Sequence, residues 1–176
     1  DDNVPSSTEL IHMLIKIVAG GGNLLLIVAP DGQGQIPWYQ VKRLREIGRW
    51  LEINGEAIYK TVGDPLYCEE DKFGYRTNYT RSRNGGYTYA LASRLGRNRM
   101  ILYKAKAREG TEVKLLGYEN NLEWFNSDWG LNILLSEDVL DHLPCSHAWV
   151  FRFEEQSPHN GLQLQTDYPM SRIIRS

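Results

Sequence analysis

Carboxyl pairs, Cys-His spacings, glycine runs and exposed aromatic rings are the groups in this chain that could do chemistry. Among the Asp and Glu side chains no pair stands out. Asp31 falls in Ala29-Pro30-Asp31-Gly32-Gln33-Gly34, a run of turn-forming residues, and reads first as a turn residue. Glu9 stands three residues after Ser6, the spacing at which a Ser hydroxyl and a Glu carboxylate each satisfy an orphan backbone N–H at a helix start. Glu46 and Glu52 alternate with Arg43, Arg45 and Arg49, as on a solvated helix face, and Glu119 and Glu123 fall in an expected hairpin. His12, His142, His147 and His159 are dispersed, and Cys145-Ser146-His147 has no second ligand pair to complete a zinc site. No metal and no cofactor is expected. Cys68 and Cys145 could be two free thiols or one bridge. Gly20-Gly21-Gly22 precedes an apolar run instead of opening a helix, so it is not a phosphate cradle.

Two binding features stand out. Trp38, Trp124 and Trp129 could present rings to a sugar; of the five Trp, 124 and 149 read as core, and Trp129, beside a turn glycine, is the candidate for exposure. Asn78-Tyr79-Thr80 has the form of a glycosylation acceptor, relevant only in a eukaryotic secretory source.

The elements that must position these residues change character near residue 60. The spacing predicts a helix over 6–19, with Leu10, Met13, Leu14, Ile17 and Val18 on one face. The Gly run ends it. Leu24-Leu25-Leu26-Ile27-Val28 predicts a strand covered on both faces, the situation of a parallel sheet. Pro37 then opens a second helix over 38–54, with Val41, Leu44, Ile47 and Leu51 in line. Helix, buried strand and helix make a piece of an α/β fold. A single parallel strand has no ladder partners, so its backbone groups need cover from elsewhere.

Beyond residue 60 the pattern is antiparallel β. Short apolar runs at 87–91, 100–103, 112–116, 122–124, 131–135 and 148–153 are separated by Gly, Asn, Asp and Pro, the rhythm of a β-sandwich. Trp149, Phe151 and Phe153 share one face by the period of two. Residues 156–176 read as a polar tail. The 176 residues are 41% hydrophobic and 24% charged, with a formal net charge of -2. That balance gives no footprint for nucleic acid, and no apolar run approaches the roughly 20 residues that span a bilayer. The chain begins Asp1-Asp2-Asn3, without Met or a basic-then-apolar leader, so the start of the gene product is expected to lie upstream.

Three stretches carry a resemblance. The first runs from Glu9-Leu10-Ile11-His12 through Gly21-Gly22-Asn23-Leu24-Leu25-Leu26 to Pro30. The second is Arg43-Leu44-Arg45-Glu46-Ile47-Gly48-Arg49-Trp50-Leu51 with Asn54-Gly55-Glu56-Ala57-Ile58-Tyr59. The third joins Glu112-Val113-Lys114-Leu115-Leu116-Gly117-Tyr118, Leu122-Glu123-Trp124, Gly130-Leu131 and the run from Pro144 to Phe151. In this order they resemble the last part of α-L-fucosidases of glycoside hydrolase family 29. The resemblance implies a fold of two pieces: the last helix-strand-helix of a (β/α)8-like barrel, residues 1–60, and an antiparallel β-sandwich, residues 61–155. It implies retaining hydrolysis of terminal α-L-fucose from glycans by the full-length family, whose members are typically secreted, periplasmic or lysosomal.

The family's nucleophile, acid/base and fucose-binding histidines lie upstream of this segment, so no catalytic residue is carried over. The chain alone is expected to be inactive, with a barrel-supporting role; an autonomous carbohydrate-binding sandwich is the alternative. Its partners would be fucosylated glycan in the full-length family, the rest of the barrel, or a second copy through self-association. One departure matters. Where the family's strand continues "LLLN" with Gly before Pro, this chain has Ile27 and Ala29. A hydrocarbon at position 27, near the strand end where barrels build their sites, removes a donor and an acceptor.

Overall fold

The computed structural model describes residues 4–71 and 74–156, with residues 64–67 described by their backbone alone. From residue 157 onward the expected tail, with His159, lies outside the described residues.

The first helix, α1 (Ser7–Ala19), starts where the capping box places it. Ser6 Oγ accepts from Glu9 N at 3.2 Å, and Glu9 Oε2 accepts from Ser6 N at 2.7 Å. Gly21, at φ 80, turns the chain out of the helix. The buried side of α1 is Leu10, Ile11, Ile15 and Ala19, whereas Met13, on the expected face, is 42% exposed. The helix therefore carries apolar residues on two sides, and one of those sides is covered.

Helix α2 (Trp38–Asn54) shows the same division. Trp50 and Asn54 are buried with Ile47 and Leu51 packed near them, and Leu44, at the other end of the expected stripe, is exposed. Between the helices the structure corrects an expectation. Residues 24–28 form no ladder among the described residues, and Leu25 and Ile27 are 83% and 80% exposed. The apolar run has the composition of a buried strand, but no neighbouring strand supplies backbone partners.

A 3-10 turn (Gly55–Ala57) and Lys60, the one non-glycine residue with positive φ among those described, lead into the β region. Strands β1 (Thr61–Glu70), β2 (Arg76–Ser82) and β3 (Thr88–Ala92) form a meander. Strand β4 (Arg99–Leu102), β5 (Lys114–Leu115), β6 (Trp124–Ser127) and β7 (Gly130–Leu134) follow, then the short helix α3 (Glu137–Asp141) and β8 (Trp149–Phe153). All pairings are antiparallel, in a five-stranded sheet β1-β2-β3-β8-β5 and a three-stranded sheet β4-β7-β6. The sequence pattern missed β1, β2 and α3.

The large sheet is a middle layer. On one face Tyr79, Ala90, Ala92, Phe151 and Phe153 pack against Leu102, Leu131 and Ile133 of the small sheet. On the other face Tyr89, Leu91 and Val150 pack against Ile11, Ile15 and Trp50 of the helices. All five residues of β3 are buried because both faces of that strand are covered. The fold class is the one expected: an incomplete α/β unit followed by an antiparallel sandwich.

Candidate functional site

The groups that could do chemistry are mostly occupied in holding the fold. Asp31 Oδ1 accepts from the backbone N–H of Gln33 and Gln35, both at 2.9 Å, so it is a turn residue. The Glu9 carboxyl is held below its usual range by the Ser6 backbone and hydroxyl bonds. Glu46 accepts from the Ser7 hydroxyl, which lowers it, and lies 4.0 Å from Lys42.

Loop residues 145–148, between α3 and β8, fasten both helices to the sandwich. His147 Nδ1 is 2.9 Å from Thr8 Oγ1, and His12 Nε2 is 2.9 Å from the His147 carbonyl oxygen. Trp50 Nε1 donates to the Ala148 carbonyl at 2.9 Å. Cys145 Sγ donates to the same carbonyl at 3.0 Å, and Asn54 Nδ2 lies 3.7 Å from that sulfur. Burial pushes the Cys145 thiol up, which favours its protonated form. Cys68 and Cys145 are both free. His142 is raised by Asp138, whose backbone carbonyl and carboxylate both face its ring. Among the described residues no three His, Cys, Asp or Glu side chains could hold a metal ion. These stitches join residues 91 to 139 positions apart, so no local sequence signal reports them.

The aromatic candidates separate as their positions suggest. Trp129, in the turn between β6 and β7, is 76% exposed, as is Trp38 at the start of α2. Trp124 and Trp149 pack against the inter-sheet core. Asn78 lies in a strand and not in a loop. It sits inside β2 at 8% exposure, followed by the wholly buried Tyr79 and Thr80, and the Thr80 hydroxyl donates to the Ala57 carbonyl at 2.8 Å. An acceptor for a bulky glycan belongs on a surface loop; the folded chain does not offer this sequon there.

What remains open is an aliphatic surface on the helical side. Leu25, Ile27, Ile36, Trp38 and Leu44 are all exposed. A groove of about 820 Å³ runs along α2 from Asp31 and Trp38 to Arg49. Among the described residues no helix is long and apolar enough to cross a membrane.

Comparison with known proteins places both regions. The family model described as Alpha-L-fucosidase matches residues 1–56, and that described as Alpha-L-fucosidase C-terminal domain matches residues 70–154. The chain belongs to the α-L-fucosidase family. The plasma alpha-L-fucosidase of Pongo abelii is 33% identical over 144 residues, covering 80% of this chain and 30% of that protein. The alpha-L-fucosidase of Dictyostelium discoideum is 42% identical over 113 residues, 64% of this chain and 24% of that one. The crystal structure of Thermotoga maritima alpha-fucosidase in complex with fucose superposes with a TM-score of 0.74 at 27% identity, over 86% of this chain and 35% of that one. The chain thus spans about 30% of the length of the curated fucosidases it matches, and the matched part is their C-terminal portion.

Proposed function

We propose that this chain is the barrel-closing and barrel-supporting segment of an α-L-fucosidase, and that by itself it does not hydrolyse fucosides. On this reading residues 1–60 complete a catalytic barrel and residues 61–155 form the domain that braces it. The observation that carries the proposal is the one-sided burial of the helical unit. Ile11, Ile15 and Trp50 are sealed against the sandwich, while Leu25 and Ile27 lie almost fully open. An open aliphatic segment of that kind needs a covering partner. The rest of the barrel would supply it in the longer protein, and a second copy could do so for the chain alone.

Retaining hydrolysis needs two carboxyl groups roughly 5–5.5 Å apart. Three carboxylates of the barrel-like unit, Asp31, Glu9 and Glu46, are tied into a turn, a cap and an interhelical contact. The purified chain is expected to release no chromophore from an aryl α-L-fucoside. Robust turnover, retained after removal of contaminating glycosidases, would overturn the proposal.

A second reading, a carbohydrate-binding sandwich, draws on the exposed Trp129 ring. It predicts heat on titration of the chain with fucosylated glycans, abolished in Trp129→Ala. A flat isotherm with the unmodified chain sinks it.

A further inference from the structure

The end of β1 and the turn after it face the β3–β4 loop and β4 across a groove of about 270 Å³. Glu69, Glu70, Asp71 and Tyr75 line it from the first side, and Arg94, Arg97, Arg99 and Tyr103 from the second. The loop backbone lies hard against the strand. A Cβ at Gly96 would stand 1.9 Å from the Arg99 carbonyl oxygen, an approach open only to glycine. That fold-back brings Arg97 of the loop and Arg99 of the strand to the same groove. Leu102 is wholly buried, so the period of two sets Arg99, Ile101 and Tyr103 on the opposite side of the chain from it.

Acids and bases both line the groove, but they are not equally engaged. Glu69 Oε2 accepts from Lys104 N at 3.0 Å, Glu70 is paired with Arg76 at 3.0 Å, and Asp71 Oδ1 accepts from Tyr75 N at 3.0 Å. Arg94 lies over the Tyr75 ring at 4.5 Å. Arg97 and Arg99 are exposed, and their side chains make no hydrogen bond, ion pair or ring contact among the described residues. The groove thus presents two unengaged guanidinium groups beside acids that already have partners.

A guanidinium holds five N–H donors in one plane and matches the paired oxygens of a sulfate or carboxylate. Groove walls exclude part of the water, so that attraction is screened less than on an open face. The formal net charge of the chain is -2, so an anion has no general attraction to it and affinity must come from a local site. Tyr103 adds an exposed aromatic face at the same groove.

We propose that this groove binds an oxyanion group, a sulfate or a carboxylate, through Arg97 and Arg99, with the Tyr103 ring against the body of the molecule that carries it. The groove is smaller than the roughly 300–1,000 Å³ of drug-sized sites, which points to a carrier of a single ring. The site makes no use of the Trp129 surface, and it does not depend on whether the chain hydrolyses anything.

The test is calorimetric titration of the full chain with D-galactose 6-sulfate, D-glucuronate, inorganic sulfate and D-galactose. Saturable heat is expected with at least one of the two acidic sugars and none with D-galactose, with affinity falling as sodium chloride is raised. Arg97→Gln and Arg99→Gln are each expected to weaken binding at least about tenfold with the melting temperature unmoved, because both side chains are exposed. Arg83→Gln removes a positive charge from the exposed β2–β3 turn and is expected to bind as the unmodified chain does. Tyr103→Ala is expected to weaken the acidic sugar and leave inorganic sulfate unchanged. The proposal is overturned by a chain that binds none of the three anions, by D-galactose binding as well as they do, or by undiminished binding in either Arg97→Gln or Arg99→Gln. An equal loss in Arg83→Gln would also overturn it, since binding would then follow net charge. Inorganic sulfate binding as tightly as the sugars, or an unchanged sugar affinity in Tyr103→Ala, would overturn the part given to the ring.

Discussion

Residues 61–156 and residues 4–60 handle apolar surface in opposite ways. In the sandwich, Phe151, Phe153, Leu102, Leu131 and Ile133 are wholly buried between the sheets. Beside the exposed Val62, Phe125 and Trp129, its exposed large side chains are Tyr75, Tyr87 and Tyr103, whose hydroxyls suit water, and Arg94 and Arg152 stack over two of those rings at 4.5 and 4.7 Å. The helical unit exposes Leu25, Leu26, Ile27, Ile36 and Leu44, which have no polar handle. The contrast teaches where each region ends physically. The large sheet is covered on one face by the small sheet and on the other by the helices, while the helices are covered only on the side that touches the sandwich.

The joint between them should be the most sensitive point. Trp50 is 2% exposed, fills the helix–sheet core and donates to the Ala148 carbonyl. Trp50→Ala is expected to cost about 3–5 kcal/mol in urea unfolding, through the cavity and the lost hydrogen bond to Ala148. If the loss falls below about 1 kcal/mol, the two regions are not packed as one body. A smaller effect is expected at Gly63 of β1. A Cβ there would lie 2.2 Å from the Ala19 carbonyl oxygen and 2.4 Å from that of Val18, both backbone atoms at the end of α1. Gly63→Ala should therefore cost about 1–3 kcal/mol by forcing strand and helix apart. An unchanged denaturation midpoint would show that α1 moves freely over the sheet.

How much of this was readable in advance follows the same division. Helix limits were legible because caps and periodicity are local: Ser6, Glu9 and the Gly20 run mark α1 to within a residue. The buried face was less legible. Leu10, Met13, Leu14, Ile17 and Val18 make a good stripe on paper, yet Ile11, Ile15 and Ala19 meet the sheet, because a helix apolar on two sides does not say which partner is present. The run at 24–28 was read as a buried strand from composition, and composition cannot count neighbours. Strand β2 escaped notice because Asn78, Thr80 and Arg76 break the alternation that marks a half-exposed strand. The 145–148 loop and the groove at Arg97 and Arg99 depend on residues far apart in the chain, which no spacing rule joins. Trp129 was legible, since a ring beside a turn glycine at a hairpin tip has little to pack against.

The seam inside the sandwich can be probed through pH. Glu69 Oε2 accepts from Lys104 N at 3.0 Å, linking β1 to the residues after β4. Burial pushes its carboxyl above the usual range, and its hydrogen bonds oppose that rise only in part. The folded chain therefore holds this proton more tightly than the unfolded one. The resulting stability is fully present below the unfolded value of about 4.3 and is lost as pH rises through the raised folded value. Glu69→Gln keeps a carbonyl acceptor and removes the charge. Relative to the unmodified chain it should gain stability as pH rises through that window and show no gain below it. Equal denaturation midpoints at about pH 4 and about pH 7 would mean the side chain remains well hydrated.

The smallest stability effect should come where the helical unit is open. Ile27 is 80% exposed, so Ile27→Asp removes few contacts within the chain and should shift unfolding by less than about 0.5 kcal/mol. Its effect on association should be large by comparison. An exposed aliphatic run can pair edge to edge or face to face with another copy, and a charge in the middle of it opposes both. Sedimentation velocity is expected to show concentration-dependent association of the unmodified chain that Ile27→Asp suppresses, with the melting temperature unmoved. Should the two sediment alike as monomers, the open aliphatic run does not drive self-association. Should the variant instead unfold early, Ile27 packs within the chain, and the contrast between a sheet covered on both faces and a half-covered helical unit fails at its most exposed residue.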